Sequence, residues 1–103
     1  MELNDFLDFL GSSSPGERVG AAIGICTHIE RSKKHQHNEI VINALRQGLF
    51  DHYSRVRFKI VEAIGKSANL VSHFEKELFE ISEIDENSVV KDKAKGILKK
   101  YKV

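Results

Sequence analysis

Four residues carry the types that could hold a metal: Cys26, His28, His35 and His37, a Cys-x-His pair followed after six residues by a His-x-His pair. Thiolate and imidazole are zinc ligands, and four of them make a closed tetrahedral site. The spacing argues against one. Residues two apart on a helix point in different directions, and the later pair follows Lys33 and Lys34 in a polar stretch. A buried Cys26 with solvated loop histidines is the expectation, with no metal and no cofactor. Gly11 and Gly16 have the interval of a phosphate-binding loop, but Glu17 stands where that motif needs lysine and a helix precedes it. No nucleophile has a base at useful spacing, and Glu62 and Asp92 read as solvated helix carboxylates. The chain is expected not to be an enzyme.

The elements that would position any site form one domain of 103 residues. Sixteen basic residues stand against fifteen acidic ones, so overall charge favours neither a nucleic acid nor an acidic partner. Any electrostatic preference must be local. One cysteine excludes an internal disulfide framework, and the start lacks the basic segment and apolar run of a signal peptide. The longest apolar stretch, VGAAIGIC at 19–26, is far too short to span a bilayer. A cytoplasmic protein without a membrane role is expected.

Periodicity predicts helices throughout. Leu3, Phe6, Leu7 and Leu10 sit at helical spacing before Gly11, giving a first helix from Glu2 to Leu10. Ser14-Pro15-Gly16-Glu17 is a capping box with proline at the first helical position, opening a helix that carries Val19, Ala22, Ile23, Cys26 and Ile29. A third helix, Asn38 to Phe50, holds Ile40, Val41, Ala44 and Leu45; a fourth, Tyr53 to Ala68, holds Val56, Ile60, Ala63 and Ile64. Ser72 to Glu75 reads as another capping box before Phe74, Leu78 and Ile81. A last helix from Asn87 bears Val90, Ala94, Ile97, Leu98 and Tyr101. No window alternates as a half-buried strand would.

The helices repeat in pairs. A forward shift of 34 residues carries Asp51 to Asp85, Val56 to Val90, Arg57 to Lys91, Ile60 to Ala94 and Ile64 to Leu98, with Ile40 going to Phe74 and Ala44 to Leu78. A backward shift of 39 carries Arg57 to Arg18, Ile60 to Ala21, Ile64 to Ile25 and Leu45 to Phe6, the extra residues falling in RSKKHQHN. Such a period signals stacked helical hairpins, none able to bury its apolar face alone.

The pattern Asp51, Val56-Arg57, Ile60, Ala63-Ile64-Gly65 resembles the first helix of HEAT repeats; Asp85, Val90-Lys91, Ala94, Gly96-Ile97-Leu98 follows with lysine for arginine. Arg18, Ala21, Gly24-Ile25 departs further, with Ser12 in the aspartate's place. The resemblance implies an all-α fold, a short right-handed α-α superhelix of HEAT-like hairpins with about six helices over residues 1–103. It also implies a structural role for Asp51, Arg57, Asp85, Lys91 and Arg18 as a polar ladder between repeats. The outer faces of the first and last helices are charged, Glu2, Asp5 and Asp8 on one and six lysines on the other, as capping repeats require.

Charge distribution is the remaining functional signal. Glu75, Glu77, Glu80, Glu83, Asp85 and Glu86 face a single Lys76, opposite in sign to the last helix. In HEAT-like arrays the second helices line the concave surface, which would gather Ile42, Asn43, Arg46, Glu77 and Glu80 there, Ile42 as an apolar anchor and Glu83 at the rim. The expectation is a non-catalytic adaptor or inhibitor binding a protein partner through a basic or mixed-charge segment, as a monomer or weak homo-oligomer. Alternatives are a toxin-neutralising immunity protein, a nucleic-acid-binding domain using the last helix, and an accessory subunit of bilin attachment. The lysine-rich helix has no interleaved aromatics to stack on bases, so nucleic acid is disfavoured.

Overall fold

Every regular element of the computed structural model, which describes residues 2–102, is helical: α1 (Leu3–Phe9), α2 (Pro15–Arg31), a 3-10 turn (Lys33–His37), α3 (Glu39–Gly48), α4 (Ser54–Ile64), α5 (Ala68–His73), α6 (Glu75–Ile84) and α7 (Ser88–Lys100). The all-α expectation is met, with seven α-helices where about six were expected. No helix among the described residues is long and apolar enough to cross a membrane.

The helices form two layers. In one, α4 lies between α2 and α7, the α2–α4 pair making the most extensive of these contacts; in the other, α1, α3 and α6 pack on α2, α4 and α7 respectively. Principal extents of 33 × 28 × 17 Å describe a slab two helices thick, as interaxial spacings of about 8–10 Å require. Val56, Ile60, Val61, Ala63 and Ile64 of α4 are all inaccessible, because this central helix is covered from both sides and from the second layer.

Side-chain caps set several of the starts. Ser14 accepts the Glu17 amide at 3.4 Å, Asn38 those of Ile40 and Val41, and Asn87 those of Val89 and Val90 at 3.0 and 3.1 Å. The expected fourth helix does not reach Ala68. It stops at Ile64, and buried Ser67 accepts the Leu70 amide at 3.2 Å to open the short α5. Ser72 lies inside α5 and caps nothing; the chain breaks at Phe74 (φ −106°, ψ 17°), whose ring is fully buried. Leu70, Phe74 and Leu78, four residues apart and all inaccessible, keep one face on the core across this break. The polar RSKKHQHN stretch, expected as loop, contains the 3-10 turn, held between α2, α3 and α5 and tied to α5 by the Asn69 amide donating to the Gln36 carbonyl at 2.9 Å.

Burial also corrects the repeat register. Val41 and Leu45 of α3 are inaccessible, as are Phe74 and Leu78, so the second helices match at a shift of 33 residues while Asp51 and Asp85 match at 34. Ile40, expected in the core, is 66% exposed. Ile42, expected as an exposed anchor, lies in the core at 9% exposure.

Two glycines permit close packing between layers and within one. A Cβ on Gly24 would overlap the ring of Phe6 on α1, and one on Gly65 would meet Ile97 Cδ1 at 2.6 Å. Tyr101 donates its hydroxyl to the Gly65 carbonyl at 2.9 Å, holding the end of α7 against α4.

Candidate functional site

The chain turns from a second-layer helix into a first-layer helix at three places along one edge of the slab, and the three turns are built alike. Ser12 Oγ accepts the Ser14 amide at 3.1 Å, Asp51 Oδ1 the Tyr53 amide at 2.9 Å, and Asp85 Oδ1 the Asn87 amide at 2.9 Å. Each is the side-chain turn that short oxygen-bearing residues form with the amide two residues on. Ser12 thus occupies the aspartate's place in structure as in sequence.

Arginines join consecutive turns. Arg18 donates from Nε and Nη2 to Asp51 at 2.8 and 3.2 Å and from Nη1 to the Ser12 carbonyl at 3.0 Å. Arg57 does the same one repeat later, reaching Asp85 at 2.9 and 3.0 Å and the Asp51 and His52 carbonyls at 2.8 and 3.2 Å. The guanidinium fork suits this double task, since it meets a carboxylate with two parallel donors and keeps others free. Burial pushes the Asp51 and Asp85 carboxyls up, but their arginines and the turn amides outweigh it and hold both below the usual carboxylate range. Asp85 in turn raises Arg57. These residues are structural.

Above the ladder lie two grooves made from equivalent positions. The larger, about 410 Å³, runs between the α3–α4 and α6–α7 turns. Its floor is Arg57 and Asp85; Leu49, Phe50, Ile81 and Ile84 supply apolar walls, and Glu77, Glu80 and Glu86 supply carboxylates. Phe50 and Ile84 are the residues immediately before the two ladder aspartates, and they are 71% and 77% exposed. The smaller groove, about 320 Å³, has Leu10 for Leu49, Gly11 for Phe50, Arg18 for Arg57, Gln47 for Glu80, Gly48 for Ile81, Asp51 for Asp85 and His52 for Glu86. Both grooves share the Asp51-His52 turn, so they lie end to end.

The residues anticipated as a binding surface divide. Glu77 and Glu80 line the larger groove, and Arg46 comes to it by pairing with Glu77 at 3.2 Å while its guanidinium lies over the Phe74 ring at 5.0 Å. Asn43 and Glu83 are exposed but line neither groove. Phe50, Ile84, His52 and Glu86 were not anticipated. An aromatic and an isoleucine directly before turn aspartates, where polar residues are ordinary, was the signal available in sequence.

Glu77 is neutralised by Arg46 and Asp85 by Arg57, whereas among the described residues no cation pairs with Glu80 or Glu86. The larger groove is therefore apolar at its lips and net negative along its wall.

Metal chemistry finds no comparable arrangement. His28 and His35 meet edge to face at 5.8 Å, with Phe6 beside His28, and burial together with His28 and Lys34 lowers His35. Cys26 is buried against Glu30, and desolvation, with Glu62 and Glu30 nearby, pushes its thiol up to about 11, away from the thiolate that a ligand or nucleophile needs. No group of three or more potential ligands is placed to hold a metal among the described residues. Comparison with models of protein families, with curated proteins and with solved structures returns no match for this chain.

Proposed function

We propose that this is a non-catalytic, HEAT-like binding module that holds a segment of a protein partner in the larger edge groove. The observation that carries the reading is the pairing of highly exposed Phe50 and Ile84 with unpaired Glu80 and Glu86 around one concavity. Exposed apolar side chains beside a cleft mark a surface that gains by being covered. The carboxylates select a segment in which lysine or arginine stands next to an apolar residue, since opposite charge steers encounter and fixes register. The repeated turns and the arginine–aspartate ladder support the HEAT-like part of the reading. Inhibition of a toxin would be one use of such a groove. The proposed setting is the cytoplasm, in keeping with one unpaired thiol.

The site proposed from sequence thus moves from the helix faces to the turns. Glu77 is a poor residue to probe, because a lysine there would face Arg46. The double variant Glu80→Lys/Glu86→Lys is the informative one. Fluorescence anisotropy with a short synthetic peptide carrying one lysine between leucines should show weaker binding by the variant, with the largest difference at low salt. A single-stranded oligonucleotide should show the opposite sign, since added lysines neutralise phosphates. Equal peptide binding by both proteins at every salt concentration, with helix content unchanged, overturns the assignment of this groove.

A further inference from the structure

The two grooves are copies of one another, set one repeat apart and open to the same edge. Their difference is confined to a few exchanges. In the first groove Gln47 and His52 stand where Glu80 and Glu86 stand in the second, and Gly11 and Gly48 stand where Phe50 and Ile81 do. The first groove keeps the neutral Arg18–Asp51 pair as its floor, but its wall carries no carboxylate and its lips are lower. A duplicated cavity with altered walls can read two positions of one chain.

We infer that the edge is a two-position track for a single extended peptide segment, reading a basic side chain in the second groove and a bulky neutral one in the first. The inference rests on the binding reading given above. Neighbouring helices in a layer stand about 8–10 Å apart, so equivalent points of the two grooves are separated by about that distance. An extended polyproline-type chain advances about 3.1 Å per residue and returns to the same face every three, placing the two side chains about three residues apart. Gly11 leaves room over the backbone in the first groove for bulk that Phe50 occupies in the second, whereas the space beside Gly48 is filled by Ile60 of α4. Charge decides the order of occupancy: a lysine gains beside Glu80 and Glu86 and finds no carboxylate beside Gln47 other than Asp51, which Arg18 already holds in two hydrogen bonds.

The test converts one groove into the other. Gln47 is exposed on the last turn of α3, and Gln47→Glu gives the first groove the carboxylate that Glu80 provides in the second. The parent and this variant are titrated with two labelled synthetic peptides, one with a single lysine and one with a second lysine about three residues away. The parent should bind the single-lysine peptide at least as well as the other. The variant should prefer the two-lysine peptide by about threefold to fivefold at low salt, the scale of an exposed ion pair, and lose that preference when the second lysine is moved by one residue. The reciprocal Glu80→Gln should erase the parent's requirement for the first lysine. Both changes are isosteric and fall at exposed positions, and circular dichroism confirms the helix content of each. Binding of the single-lysine peptide by the parent with no gain from Gln47→Glu overturns the two-position track while leaving the single groove. Failure of the parent to bind either peptide overturns both.

Discussion

Arg57 spends two donors on Asp85 and a third on the carbonyls of the preceding turn, so one side chain fixes the spacing of two repeats and the shape of the groove floor between them. With side chains only 11% and 7% exposed, the pair is nearly removed from water. Deleting the guanidinium leaves a buried carboxylate, and Arg57→Ala should cost about 3 kcal/mol, read as a lowered urea midpoint. Arg57→Lys should fall between, because an ammonium cannot make two parallel bonds to the carboxylate and still reach the carbonyls. Acid sensitivity follows from the same contacts. Asp51 and Asp85 are held below their unfolded value of about 3.9, so their stabilisation is complete above that pH and is lost as pH falls through the lower folded values. Thermal melts from neutral pH downward should show stability falling steeply in that acid range, and Asp85→Asn should flatten the slope while lowering stability at neutral pH. A parallel acid slope in Asp85→Asn would contradict the assignment.

Among the α-helices, α1 is the one that buries no residue of its own. It docks on α2 chiefly where Phe6 lies over Gly24 and where Leu3 and Leu7 meet the core. Gly24→Ala gains about 1 kcal/mol of helix propensity in α2 but forces the Phe6 ring away, an overpacking that costs about 1–3 kcal/mol. The ring belongs to a short terminal helix, so the expected outcome is release of α1 with the remaining core intact. Limited proteolysis should show faster cleavage before Ser14 in Gly24→Ala, with only a small change in melting temperature. Unchanged cleavage would mean that α1 is held by other contacts.

At the scale of the whole molecule, no helix pair is independent of its neighbours. α4 touches both α2 and α7, and α7 covers α4 and α6 through Val90, Ala94, Ile97 and Leu98. Removing residues 87–103 exposes several large apolar side chains at about 1.5–3 kcal/mol each, a sum comparable with the 5–15 kcal/mol that holds a small domain together. The truncated chain should lose its cooperative thermal transition, and survival of the parent's melting temperature would refute the stacked arrangement. The groove shares this dependence, since its two walls come from different repeats and its floor from the ladder that joins them.

The all-α class, the capping serine at position 14 and the pairing of Asp51 with Asp85 were legible in sequence because each rests on spacing along one helix or on identity at a fixed interval. Helix periodicity is a local property, and a repeat compares the chain only with itself. What the tertiary structure decided was orientation. Ile40 and Ile42 are both apolar at one end of α3, and only the direction from which α4 approaches sends Ile42 inward and leaves Ile40 in solvent. The break at Phe74 was hidden as well, because Leu70, Phe74 and Leu78 keep the four-residue spacing of a single helix face across it. The groove was hidden for a further reason. Its walls, Phe50 and Glu80, are 30 residues apart in sequence and come to one groove where helix packing and Arg57 set the Asp85 turn beside the Asp51 turn.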